Sequence, residues 1–308
     1  MAISYDGLFS LMKEQGITKT ALTQMLGISS RTMAKLSKNE YVSLKIIDDI
    51  CAKLDCAPGD ILSSVRNTPI SPILQVLREE KDMGLKGGLY HATQVKMTYN
   101  SNRIEGSRLS EDQTRYIFET NTIGFTDNPA VNVDDIIETK NHFRCIDFVI
   151  DSADDILSEG FIKKLHELLK SGTSDSSKDW FAVGDYKLKP NMVGDSKTVS
   201  PANVRNEMVK LLDGYNQLKQ VGIDDIIAFH HDFESIHPFQ DGNGRVGRLI
   251  AFKECLRLNI TPFIIDEELK LFYYRGLKEW NNEKGFLLDT CKAGQDKYQA
   301  IVDYFISK

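Results

Sequence analysis

The sequence predicts a mainly α protein with one small β-hairpin, and three observations carry that reading. Apolar residues recur at three- and four-residue steps over long stretches, which places them on single helix faces. Alternating β-branched runs are scarce. Turn chemistry suited to a strand pair is clearest in 182–199, where Gly184, Pro190 and Gly194 punctuate the chain. Of the 308 residues, 41% are apolar and 27% charged, a balance that excludes wholesale disorder.

Residues 1–65 read as a compact helical unit. Gly16 ends a first helix, and Thr18 can cap a second. Leu26-Gly-Ile-Ser29 makes a tight turn, after which Ser29 or Ser30 caps a third helix carrying Arg31, Thr32, Lys35 and Lys38. Ser43 begins a fourth, with Leu44, Ile47, Ile50 and Leu54 on its apolar face, and Pro58 suits the first turn of a fifth. The polar, proline-containing stretch 63–72 closes the unit. Residues 66–125 read as a connecting helical region, and 126–308 as the main domain. In that domain 203–220 forms a helix with Val204, Met208, Leu211, Tyr215 and Leu218 on one face. A second helix over 224–236 carries Ile226, Ile227, His230, Phe233 and Ile236. The polar run 171–179 is a loop. No internal repeat and no long low-complexity tract is present.

Lys and Arg total 38 against 44 Asp and Glu, a net charge of −6. That excludes a chain gripping nucleic acid by bulk charge, and leaves such contact to a local patch. Five cysteines stand unclustered at 51, 56, 145, 255 and 291, which reads as reduced thiols without a disulfide or zinc framework. The N-terminus lacks the basic start and apolar core of a signal peptide. No apolar run approaches the roughly 18 residues of a membrane span. The expectation is a soluble, cytoplasmic protein with no membrane partner; a homo-oligomer stays open.

The stretch 17–36, ITKTALTQMLGISSRTMAKL, resembles the Cro/C1-type helix-turn-helix family, and 42–62 continues the likeness. The resemblance implies that the third helix enters the major groove of DNA, with Ser29, Ser30, Arg31, Thr32 and Lys35 at the matching positions. Residues 1–65 hold seven basic and seven acidic side chains, so the unit is neutral. DNA-binding modules usually show a basic footprint. A protein-contact or dimerisation role therefore stands beside DNA binding.

The most informative stretch runs from His237 to Arg248, HPFQDGNGRVGR. Gly242, Asn243 and Gly244 can present backbone N–H groups in a tight turn, and the apolar run 249–258 marks a following helix. A helix N-terminus fronted by glycines is an anion cradle. Arg245 and Arg248 can fork onto phosphate oxygens there. Asp241 beside a polyphosphate is a hard oxygen ligand suited to Mg²⁺. His237 can take a proton from an attacking hydroxyl near neutral pH.

This pattern, HPFxDGNGRxxR, is the signature of the Fic (Fido) family, and the match is complete; the lead-in with His230 and Phe233 is also similar. The resemblance implies an all-helical Fic core with a small hairpin flap. It implies AMP transfer from ATP to a Ser, Thr or Tyr hydroxyl of a protein. His237 is then the general base, and Asp241 binds Mg²⁺ bridging the α- and β-phosphates. The 242–244 backbone and Asn243 hold phosphates, Arg245 contacts them, and Arg248 holds the γ-phosphate. Relatives that act as phosphotransferases carry Lys at the position of Gly244, so Gly244 favours nucleotidyl transfer.

Ser101-Asn-Arg-Ile-Glu105-Gly106 matches the family's inhibitory motif [ST]xxxE[GN], which implies that Glu105 pairs with Arg248 and blocks the γ-phosphate position. Gly184, Tyr186 and Lys187 resemble the start of the family's target-positioning flap, whose edge can pair with an extended protein segment, although Lys187 stands where many relatives have Arg. Lys270 with Tyr273 and Tyr274 resembles an adenine-side pattern, again with Lys for Arg; core packing is the competing account of these tyrosines. The expected function is a self-inhibited protein adenylyltransferase. The alternatives are a hydrolase that removes AMP through the same site, and a DNA-binding regulator whose Fic core senses nucleotide.

Overall fold

The computed structural model describes residues 2–65, 71–124, 130–194 and 196–306. The chain divides into two compact units, Met1–Pro69 and Ile70–Lys308. The expected boundary at 65/66 adjoins residues outside the described ones, and the boundary at 125/126 falls among them.

The first unit runs β1 (Ala2–Ser4), α1 (Asp6–Glu14), α2 (Lys19–Leu26), α3 (Ser30–Ser37), α4 (Leu44–Leu54), α5 (Pro58–Ile61) and β2 (Ser63–Val65). Its breaks follow local chemistry. The Thr18 hydroxyl accepts the Ala21 N–H at 3.1 Å, Gly27 closes α2 at φ +64°, and the Ser29 hydroxyl accepts the Thr32 N–H at 3.1 Å. Leu8, Leu22, Leu36, Ile47, Ile50 and Ile61 share one core. Leu44, expected on the apolar face of α4, is 81% exposed, because it opens the helix ahead of the packed turns. The β1–β2 pair, antiparallel with Ile3 opposite Ser64, was not anticipated: three-residue strands are too short to show a period of two.

The second unit contains α6 (Pro72–Met83), α7 (Leu89–Ile104), α8 (Glu111–Thr120), α9 (Val133–Asp151), α10 (Glu159–Lys170), β3 (Met192–Val193) and β4 (Ser196–Lys197). It continues through α11 (Pro201–Asn216), α12 (Ile223–Ile236), α13 (Asn243–Arg257), α14 (Lys270–Glu279) and α15 (Gly285–Phe305). The protein is therefore mainly α, and β3 with β4 makes the small hairpin expected within 182–199. The loop 171–179 contains one 3₁₀ turn, Ser174–Ser177.

At the centre lies α13, in which every residue from Arg245 to Leu256 is buried. Such a helix needs neighbours on all sides, and α7, α9, α10 and α12 supply them. The helices α6, α7 and α8, expected as a connecting region, pack on α9 within this same unit. On α11 the buried face is Val204, Met208, Leu212 and Tyr215. Leu212 thus takes the place expected for Leu211, and Leu218 lies beyond the helix end, 44% exposed. Among the described residues no helix is long and apolar enough to cross a membrane. None of the five cysteines is in a disulfide.

Candidate active site

The elbow between α12 and α13 is built by backbone geometry. His237 ends α12 in the left-handed region, φ +52°, while its N–H still donates to the Phe233 carbonyl at 3.0 Å. Phe239 is fully buried and anchors the loop. Asn243 clamps it: Oδ1 accepts the Phe239 N–H at 2.8 Å, and Nδ2 donates to the Phe239 carbonyl at 2.9 Å. The Asn243 side chain thus shapes the loop, which leaves only its N–H to face an anion. Gly242, at φ +81°, precedes the first residue of α13. The first-turn N–H groups of α13 lack intrahelical acceptors and carry the positive end of a four-turn dipole.

A charged cluster flanks this helix start. Asp241 Oδ2 accepts from Lys170 Nζ at 2.6 Å and from Arg245 Nη2 at 3.2 Å, and Glu138 bonds both Lys170 and Arg245. Burial alone would raise the Asp241 carboxyl, but Arg245 and Lys170 outweigh it and hold its pKa down at about 2. Lys170 and Arg245 are both buried, so each needs a counter-charge. Arg245 was expected to point at the cradle. Its terminal nitrogens face Glu138 and Asp241, and its Nε is buried with no hydrogen-bond partner among the described residues. Glu138 and Lys170 escaped the sequence analysis. Lys170 had left a signal, because it stands four residues beyond His166 on the buried face of α10; Glu138 left none.

The inhibitory motif meets the second arginine. Arg248 donates from Nε to Ser101 Oγ at 3.0 Å, and from Nη2 to the Ser101 carbonyl at 3.0 Å and to Glu105 Oε1 at 2.6 Å. Burial works against the Arg248 charge, and the Glu105 carboxylate more than restores it. Gly106 turns the chain at φ +99°. Most telling is Gly244: a Cβ placed there would lie 2.1 Å from Glu105 Oε1. The Glu105 carboxylate therefore lies directly against the glycine at the head of α13. Behind Arg248, Glu234 is a buried carboxyl that burial, with Glu105 adding, pushes up to about 8. It was also missed, being one of four acids on α12, the others being Asp224, Asp225 and Asp232.

His237 has its Nδ1 buried without a hydrogen-bond partner among the described residues. Burial, reinforced by the Lys187 ammonium, lowers its pKa; the Glu234 carbonyl, Glu105 and Asp241 pull the other way. The imidazole is accordingly neutral, in its proton-accepting form, near pH 7. The flap is fixed beside it. The Gly184 N–H donates to His166 Nδ1 at 2.9 Å, and the His166 ring stacks on Phe239 with centroids 4.0 Å apart. Tyr186 is buried, its hydroxyl without a partner among the described residues. Lys187 N–H donates to the Pro238 carbonyl at 2.9 Å, while its buried ammonium bonds Asn191 and Thr198 and is pushed down to about 8 by burial.

Of the two tyrosines read as adenine-side, Tyr273 is 1% exposed and bonds His230 Nε2 at 2.7 Å, so it packs inside the core. Tyr274 is 43% exposed, and its hydroxyl donates to the Ile104 carbonyl at 2.8 Å. In the first unit Ser29, Ser30 and Arg31 are exposed around the start of α3, with Thr32 and Lys35 half-buried. Among the described residues no group of three or more His, Cys, Asp or Glu could hold a metal ion by itself. Asp241 as one ionised carboxylate fits a Mg²⁺ ion shared with phosphate oxygens.

Residues 156–254 match the Fic/DOC family, and residues 8–66 match the Cro/C1-type helix-turn-helix DNA-binding domain. The chain is 27% identical over 186 residues to the protein adenylyltransferase fic-1 of Caenorhabditis elegans, covering 58% of this chain and 35% of that protein. It is 24% identical over 227 residues to the protein adenylyltransferase Fic of Aedes aegypti, covering 72% and 41%. The chain thus spans about a third of the length of the Caenorhabditis relatives it matches. Its fold is similar to a Fic domain-containing signalling protein from Bacteroides thetaiotaomicron, with TM-score 0.55 and 24% identity over 75% of this chain and 90% of that one. It is also similar to a Fic-1 fragment from Caenorhabditis elegans, with TM-score 0.58 and 20% identity over 94% and 88%.

Proposed function

On the premise of a Fic/DOC domain behind a Cro/C1-type helix-turn-helix unit, we propose that this chain is a protein adenylyltransferase held in check by Glu105. It transfers AMP from ATP to a Ser, Thr or Tyr hydroxyl in an extended protein segment. The observation that supports this best is the Glu105 carboxylate lying against Gly244 at the head of α13 while paired with Arg248 at 2.6 Å. An acid in that place competes with a polyphosphate for the same N–H groups and the same guanidinium.

The residues fit the nucleotide. Arg245 offers a buried, unpartnered Nε, and α13 offers its first-turn N–H groups. Neutral His237 takes the proton of the target hydroxyl. The hydroxyl oxygen then bonds the α-phosphorus, the bond to the oxygen bridging the β-phosphate breaks, and pyrophosphate departs with that electron pair. Asp241 would hold Mg²⁺, which when bound neutralises charge gathering on the leaving pyrophosphate. Lys170 and Arg245 keep Asp241 ionised for that task. The hairpin edge at β3–β4 suits pairing with an extended target, and the exposed start of α3 suits a DNA contact.

Incubation of Glu105→Gly with α-labelled ATP and cell lysate tests the reading. Labelled protein that disappears when His237→Ala is added to the variant is the expected result. Release of AMP from a pre-adenylylated protein by the wild type, with no labelling by the variant, would replace transfer with hydrolysis. DNA binding alone, with neither reaction, would leave a regulator.

A further inference from the structure

We infer that Tyr274 and Lys270, which belong to the stretch that resembles an adenine-side pattern, clasp the last turn of the inhibitory helix and so position Glu105. The inference rests on the reading of Glu105 as a brake. The last carbonyls of an α-helix have no intrahelical donors, and their partners decide how firmly the end is held. At the end of α7 the side-chain partners come from α14 and the loop before it, beside the turn's own backbone donors. The Tyr274 hydroxyl donates to the Ile104 carbonyl at 2.8 Å, and Lys270 Nζ donates to the Arg103 carbonyl at 3.3 Å. Arg103 Nε donates to Glu267 Oε1 at 2.7 Å, while its Nη1 donates to the Ser107 carbonyl at 3.1 Å. Three struts therefore converge on Arg103 and Ile104, immediately before the Glu105 carboxylate that reaches Gly244 and Arg248.

The local turn contributes backbone bonds of its own at this end, Gly106 N–H to the Arg103 carbonyl at 3.2 Å and Ser107 N–H to the Asn102 carbonyl at 3.1 Å. Gly106 follows Glu105 at φ +99° and turns the chain out of the helix. Tyr274 is a positioning residue on this account. Its hydroxyl acts through the helix end, and its ring lies partly in solvent. Glu267, Lys270 and Tyr274 belong to one short stretch of chain, so a shift of α14 would loosen the whole end of α7 together.

The two roles of Tyr274 predict opposite signs. Tyr274→Phe keeps the ring and removes only the hydroxyl. As a clasp, its loss raises adenylylation by the otherwise wild-type chain about fivefold, the population shift carried by one neutral hydrogen bond. The same change in the Glu105→Gly background alters neither the rate nor the KM for ATP, because the group being positioned is gone. Lys270→Met behaves alike. Amide hydrogen exchange of 99–108 in the full chain without nucleotide rises in Tyr274→Phe, whatever the activity does. A higher KM for ATP in both backgrounds restores the adenine-side role and overturns the clasp. A rate unchanged by Tyr274→Phe while Glu105→Gly raises it also overturns it, as does unchanged exchange at 99–108. A Glu105→Gly chain no faster than wild type sinks the brake itself, and the exchange measurement then still decides whether Tyr274 holds the helix end.

Discussion

His237 is made a base by its surroundings. Its burial and the nearby Lys187 ammonium lower its pKa below the ordinary 6.5, so the neutral form persists into mildly acidic solution. Protonation removes the accepting lone pair, so adenylylation should fall as pH drops through that lowered value. A pH–rate profile of the Glu105→Gly chain should place the acid limb below pH 6.5. Lys187→Met removes a like charge and should move the limb upward; a limb already at or above 6.5 would contradict this account. His237→Ala should lower the rate by about 10²- to 10⁴-fold, the usual contribution of a positioned base, with an unchanged melting temperature. The cluster beneath carries the structural risk. Glu138→Ala leaves buried Arg245 with Asp241 alone and buried Lys170 with Asp241 and the more distant Asp175, and such a loss costs about 3–5 kcal/mol. That should lower the melting temperature by on the order of 10 °C in calorimetry.

Two helix ends face one another, and their meeting is where control resides. The N-terminus of α13 offers donors to any anion, and the C-terminus of α7 brings it an internal one, Glu105. Glu105→Gly frees Arg248 and clears the space against Gly244. A rise of about 100-fold in target labelling corresponds to about 2.7 kcal/mol, a size that one regained charge-assisted contact and better alignment supply. Arg248→Ala added to Glu105→Gly should cancel the gain, since the freed arginine does the aligning. Steady-state labelling of the two variants side by side checks both; a double variant as fast as the single one would place the alignment elsewhere.

Across the molecule, each unit packs around clusters of its own. The core around Leu22, Leu36 and Ile50 supports the helix-turn-helix unit, and the core around α13 supports the site. Arg31→Ala with Lys35→Ala should therefore weaken any DNA binding in a salt-titrated gel shift while leaving the labelling rate of Glu105→Gly unchanged. An unaltered, salt-sensitive shift would show that α3 is not the reading surface. A changed labelling rate would show that the units are energetically coupled.

The sequence by itself determined the mainly helical architecture, the elbow from His237 to Arg248 and the motif from Ser101 to Gly106. Each rests on local chemistry: period, caps, and glycines at Gly242 and Gly106 that take positive φ. It missed the β1–β2 pair, whose strands are too short to show a pattern. Only the tertiary structure decided which charges meet. Glu138 and Lys170 come from separate helices, and only packing brings them to Asp241 and Arg245. Packing likewise buries Tyr273 in the core and turns Tyr274 toward Ile104, because a tyrosine hydroxyl bonds whichever carbonyl the neighbouring element leaves within reach. Spacing along a chain reports faces and turns. Partners far apart in sequence are chosen by the burial of the apolar faces beneath them, and that is settled only when the helices close around α13.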